Sequence, residues 1–331
     1  MRCRFLVAMI GLTIASTSAL AQRPVAAQVP AAASSAAADS DFFATSGVAK
    51  FQFIQGRLCL DPPRHRKGSQ KRQLDGCYES VTVTAERGIP SVQYASQNSE
   101  HHLTLSVEQA YFVRIESWFP GSSERAILNQ PRSGLITMQV TRGDLSDTYQ
   151  APTLLHLRHS NPSSFELHFG RLIRRLLRGR SIAALSRAAE DAMLRSPPSD
   201  SVPVFSDVVD CVDQLRSSKR ATRVAAHQRL LSWGTPIIPM LARLDTSTLD
   251  PEQTLRVQAL QRRLRPKVDD TPATLAKLLV NDRSYWQQIA GSLNPAQLQL
   301  ANQHLKQSGA RPIVLAADPE TRVANSAATT K

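Results

Sequence analysis

The sequence carries few of the motifs by which chemistry is usually recognised. No serine lies in a Gly-x-Ser-x-Gly turn, which removes the strained nucleophile of that motif. There is no glycine-rich phosphate loop, no dinucleotide-binding glycine pattern, and no His-Glu-x-x-His or Cys-x-x-Cys spacing. Neither a phosphate cradle nor a local metal pair is therefore encoded in a short stretch. Zinc-finger and aromatic RNA-binding patterns are missing too, so nucleic acid is not the expected partner. Asp and Glu are scattered, with no pair set apart as an acid/base couple. The sequence predicts no cofactor, no metal site and no catalytic residue, although side chains distant in sequence can still converge. Cysteine is scarce: four residues, one of them Cys3. Acids are outnumbered by bases, 27 to 40, for a net charge of +13.

Long apolar runs are also lacking. Phe5 to Ile14 is the one near the start, preceded by the basic Met1-Arg2-Cys3-Arg4 and followed by Ala19-Leu20-Ala21. A basic region, a short apolar core and a small-x-small site make a secretory signal peptide, cut after Ala21. A membrane anchor needs about 20 apolar residues, and no later run supplies them, so no transmembrane helix is expected after cleavage. The expected location is secreted or periplasmic. There a basic chain meets anionic polymers, lipids or wall groups rather than nucleic acid. An oxidising compartment permits disulfides. Cys59 and Cys77 flank one polar loop and form the natural pair, while Cys211 lies in an apolar-periodic segment and reads as a buried thiol.

Residues 22–41 are rich in Ala, Pro and Ser and nearly uncharged, which predicts a disordered linker. From Phe42 the pattern turns to period two. Ser80–Ala85, His102–Val107, Tyr111–Ile115, Leu135–Val140 and Thr153–Leu157 read as strands, with turn signals such as Arg87-Gly88 and Arg142-Gly143 between them. Short strands at this spacing predict an antiparallel sandwich or small barrel with one face apolar. Near Asn161-Pro162 the period becomes helical. Ser163 or Ser164 caps a helix to Arg178 whose apolar face is Phe165, Phe169, Leu172, Ile173, Leu176 and Leu177, and a second helix runs from Ser181 to Leu194. This pair is expected to pack on the sheet.

After Pro197-Pro198 the chain reads as helix throughout. Asp250-Pro251, Thr271-Pro272 and Asn294-Pro295 each join a cap residue to a proline in the first turn. Tyr285, Trp286, Ile289 and Leu293 are the predicted core of this part. Ala226, Leu230, Trp233-Gly234, Pro239, Leu241 and Leu244 resemble one unit of a HEAT-type helical repeat, over residues 223–244. That resemblance implies an antiparallel helix pair presenting a surface to a protein partner. No second copy follows at a fixed period, and about three units are needed for a free-standing solenoid. The expected fold is α+β in two domains: a β-rich part over 42–195 ending in two helices, then an all-α HEAT-like bundle over 204–309. A linker at 196–203 joins them and a flexible tail at 310–331 follows.

Two basic clusters are candidate anion sites. Arg64, Arg66, Lys67, Lys71 and Arg72 sit on one loop with no acid, suited to phosphate, carboxylate or sulfate by charge-assisted hydrogen bonds, or simply solvated by their own charge. Arg171, Arg174, Arg175 and Arg178 stripe one helix face, as on an anionic membrane surface or on any helix packed on a sheet with its basic side wet. His156 and His159, read as strand residues, point to opposite faces and do not form a metal pair. The sequence thus predicts a non-catalytic secreted or periplasmic binding or scaffolding protein, partnered by a protein or an anionic envelope polymer. The alternatives are an envelope-polymer hydrolase with its site in the β-rich part, and a structural subunit of a larger assembly.

Overall fold

The computed structural model describes residues 49–61, 67–74, 76–197, 203–242, 244–264 and 268–314. The predicted signal peptide, the linker after it and most of the predicted tail lie outside them. Strands β1 (Lys50–Ile54) and β2 (Arg57–Asp61) form a separate hairpin. Then come β3 (Gly68–Leu74), β4 (Cys77–Glu86), β5 (Ile89–Gln97), β6 (His102–Glu108), β7 (Phe112–Trp118), β8 (Glu124–Gln130), β9 (Ile136–Arg142) and β10 (Leu145–Ala151). These eight make one antiparallel sheet in sequence order, each strand paired with its neighbours in the chain. The alternation that predicts strands also decides their faces. Val81, Val83, Leu105, Ile115, Leu128 and Met138 point to one side and are fully or almost fully buried. The residues between them, such as Thr82, Thr104 and Arg114, stay partly in water.

The fold differs from the expected one in two ways. There is neither sandwich nor barrel: the sheet is open, with β3 and β10 as its edges, and helices rather than a second sheet cover its apolar face. Among the described residues there is also no separate all-α HEAT-like bundle at the C-terminal end. Helices α1 (Leu154–Ser160), α2 (Pro162–Phe165), α3 (Arg171–Leu176) and α4 (Ile182–Arg195) bury their apolar sides with the sheet. A π-helical turn, Glu166–Gly170, joins α2 to α3. Helices α5 (Phe205–Gln214), α6 (Arg220–Trp233), α7 (Ile238–Ala242) and α8 (Pro251–Leu264) then gather a smaller core of their own around Val208, Leu230 and Leu260. Finally α9 (Pro272–Leu279), α10 (Arg283–Ile289) and α11 (Pro295–Gln307) return to the first core, where Tyr285 and Trp286 are fully buried. Helical periodicity says that a face is buried but not against what, and the last three helices join α4 and the sheet core as well as one another.

Local signals explain the element ends. Gly234, at φ 70°, closes α6, and a 3-10 turn at Thr235–Ile237 carries the chain into α7. Thr271 and Asn294 each form a full capping box with Thr274 and Gln297. Thr153–Leu157, read as a strand, is instead the start of α1: Thr153 caps it by accepting from the His156 amide. Four buried residues in a row, Leu154 to Leu157, carry no period that separates strand from helix. Residues 68–72 of the basic segment belong to the edge strand β3, polar on both sides, whose order comes from its ladder with β4.

Candidate ligand-binding site

The β1–β2 turn is where the parts of the fold meet. Gly56 (φ 70°) packs so closely on α1 that a Cβ there would lie 2.6 Å from Cβ of Thr153. Its carbonyl accepts from Leu154 N at 2.8 Å, and its amide donates to Asp270 Oδ2 at 2.8 Å. Phe53 N donates to Asp269 Oδ1, and Asp270 N donates to the Phe53 carbonyl, both at 2.6 Å. The hairpin is therefore clamped between α1 and the segment that enters α9. Gln130 of β8 extends the clamp by pairing with both backbone groups of Leu58. The Arg57 guanidinium donates to the carbonyls of Pro131, Gly134 and Pro152 at 2.7–2.9 Å, which ties the β8–β9 turn to the same corner.

Between this corner and helices α7 to α10 lies a cavity of about 650 Å³, a size that suits a small-molecule ligand. One side is apolar: Ile238, Leu241, Leu249, Val257, Leu278 and Leu279. A polar part of the lining is built on α1 and the start of α10. Thr153 Oγ1 lies 2.9 Å from His156 Nδ1, and His156 Nε2 lies 3.3 Å from Asp282 Oδ2. Asp282 caps α10, accepting on Oδ1 from the Ser284 amide and hydroxyl. Burial pushes the Asp282 carboxyl up, but the hydrogen bond and charge of His156 and the Ser284 donors outweigh it and hold the group at about 2. It is a carboxylate at neutral pH.

One polar atom of the lining, Gln55 Nε2, is buried without a hydrogen bond among the described residues, whereas His156 Nε2 faces Asp282 Oδ2 at 3.3 Å. A buried donor left unmade costs about 1–3 kcal/mol, and this one lines the cavity beside the His156–Asp282 pair. Gln55 also sits at φ 53°, a backbone conformation that ordinary residues seldom adopt.

A second polar network is closed. Ser117 lies between His101 Nε2 (2.8 Å) and His168 Nδ1 (2.9 Å), and His168 Nε2 reaches Glu124 at 3.3 Å. The order hydroxyl, imidazole, carboxylate looks catalytic, yet Ser117 is fully buried. Burial lowers His168, and burial with the nearby His168, Arg171 and His102 brings His101 to about 4. Two neutral imidazoles packed around a sealed hydroxyl brace β7 against the π-helical turn. Beside the cavity, His159, Glu190 and Tyr285 form a third cluster, with Tyr285 donating to Glu190 at 2.8 Å and His159 3.0 Å from it.

The predicted site residues scatter. Arg64 and Arg66 lie outside the described residues. Lys67 and Lys71 are exposed, Lys71 on the edge strand. Arg72 and Arg175 converge from either side on the buried Glu79, at 2.5 and 2.7 Å. Burial pushes Glu79 up, but the Tyr94 hydroxyl and the two arginines more than cancel this and keep it below the ordinary carboxylate range. Arg171, Arg174 and Arg178 lie on the wet side of the α3 region. Cys59 and Cys77 are not bridged: one is in the hairpin, the other at the start of β4, in different sheets. His156 and His159 share one helix and both approach Tyr285. No group of three or more metal-ligating side chains gathers among the described residues, and no helix there is long and apolar enough to cross a membrane.

Sequence reasoning missed Gln55, Arg57, His156 and Asp282. Asp282 carries a local signal, an Asp at a helix start, but nothing links it to residue 156. The chain matches no family model, no curated protein and no solved structure.

Proposed function

We propose that the protein is a non-catalytic binding protein acting outside the cytoplasm, and that its partner is a molecule of moderate size held in the cavity between the hairpin corner and α7–α10. One observation carries the reading: a 650 Å³ cavity with an apolar wall is also lined by a buried donor without a partner among the described residues, Gln55 Nε2, and by the His156–Asp282 pair. A site that is apolar with a few placed polar groups is the usual form of a ligand pocket. The signal-like Met1–Ala21 supports export, and the basic surface suits an anionic envelope as surroundings. The test is Nile red fluorescence with the purified protein and with Val257→Trp, which fills the apolar wall. Enhanced emission with the first and little with the second, at unchanged circular dichroism, is expected. Equal emission from both overturns the reading.

The Thr153–His156–Asp282 chain favours a second reading, a hydrolase with Thr153 as nucleophile and His156 as base. Thr153 already caps α1 and is nearly buried, which argues for a positioning role. Time-dependent release of product from ester substrates, abolished by Thr153→Ala, would support the hydrolase instead.

A further inference from the structure

Resting on that reading, we propose that the ligand is an uncharged amphiphile: a single apolar chain carrying a hydroxyl or amide head, with the head at Gln55 and His156 and the chain along Leu241, Val257 and Leu278. The apolar and polar parts of the cavity lining set this chemistry. The Gln55 amide nitrogen is a donor and asks for an acceptor oxygen. It belongs to the turn whose Gly56 touches Thr153, Thr153 hydrogen-bonds His156, and Gln55, His156 and Asp282 line the same cavity, so one head group can meet all three. Of these, the Asp282 carboxylate faces His156 through its Oδ2. A head group placed there must accept from Gln55 and donate toward the His156–Asp282 pair. A hydroxyl or a primary amide does both.

Charged heads fit less well. A fatty acid would bring a second carboxylate next to Asp282. The two arginines in the wall keep their charge, but most of their donors are directed at other groups, so neither is shown offering a carboxylate a two-pronged contact. Arg57 is held by three carbonyls. Arg283 donates to the Arg311 carbonyl and to Gln287. An amine would pair with Asp282 but has no acceptor for Gln55, whose donor would stay unmade. Binding along the apolar side is non-directional burial of the chain and is the same for all three heads, so head chemistry alone separates them.

The experiment compares four dodecyl probes below their micelle concentrations: monolauroylglycerol, dodecanamide, lauric acid and dodecylamine. Each competes with Nile red on the purified protein, on Gln55→Met and on Val257→Trp. The expected result is that the two neutral probes bind the native protein about tenfold tighter than the acid or the amine, the value of one buried hydrogen bond. Gln55→Met should erase most of the preference over the amine while leaving the amine's own affinity nearly unchanged. Acid or amine binding as tightly as the neutral probes overturns the proposal. If those chains are still displaced from the site by Val257→Trp, the cavity reading survives and only the head assignment falls. If no probe competes and Nile red itself ignores Val257→Trp, both fall together.

Discussion

The two hydrophobic clusters of this chain are built from different materials. The larger joins the inner face of an eight-stranded sheet to seven helices and buries Phe53, Phe165, Phe169, Tyr285 and Trp286. The smaller, within 205–264, is held by Val, Leu, Ile, Ala, Met and Cys, with Phe205 and Trp233 only at its margin. Large aromatics bury the most area per side chain, so the second cluster has less to resist local opening. The cavity lies along the seam and is lined by both clusters, with Leu278 and Leu279 of the larger completing the apolar side that α7 and α8 begin. The comparison teaches that the binding wall contributed by α7 and α8 belongs to the softer unit and the polar part on α1 and α10 to the stiffer one.

The sharpest test of the asymmetry is Trp286→Ala, which empties the larger core and is expected to cost about 3–5 kcal/mol, read from the shift of the urea midpoint at unchanged slope. Leu230→Ala, in the smaller core, is expected to cost about 2–4 kcal/mol, with hydrogen exchange accelerating over 205–264 while sheet amides stay protected. Equal acceleration in the sheet would show that the two clusters open as one unit.

The hairpin clamp is titratable. Burial raises Asp270 to about 6, against 3.8 for an ordinary Asp. The folded state therefore holds this proton more tightly than the unfolded chain. Its contribution is most favourable below about pH 4 and is lost as pH rises through 6. Asp270→Asn is expected to flatten that part of the stability–pH curve by roughly 2 kcal/mol, measured by urea titration at pH 4 and pH 7. A curve unchanged by the substitution would remove Asp270 from the clamp's pH response. The smallest effect is at a cap: Asn294→Ala removes the capping box of α11 and is expected to cost about 1 kcal/mol, confined to the larger cluster.

How much of this could be read beforehand depends on how far apart the partners lie. Strands β4, β6, β7 and β9 were legible because alternation over five or six residues, as in Ser80–Ala85, fixes both strand and face, whereas β5 and β8 between them were not read as strands. Caps were legible because Thr271 and Thr274, or Asn294 and Gln297, stand three residues apart. Edge strand β3 was hidden, since its residues are polar on both sides and only the pairing with β4 orders them. Helix α1 was hidden because a buried run of four has no period. The destination of α9–α11 was hidden for a physical reason too: an apolar stripe fits any apolar surface, and only the tertiary arrangement chooses α4 over α8. The site was the least legible part, because Gln55, His156 and Asp282 have no local spacing to betray them.

Because every pairing in the eight-stranded sheet joins chain neighbours, its contacts are short in sequence and form quickly. The hairpin clamp is the opposite case: Phe53 and Gly56 meet Asp269 and Asp270 across more than two hundred residues, and closing so long a loop is entropically costly. The molecule should therefore acquire its sheet early in refolding and its binding capacity late, with a measurable lag between strand signal and ligand uptake.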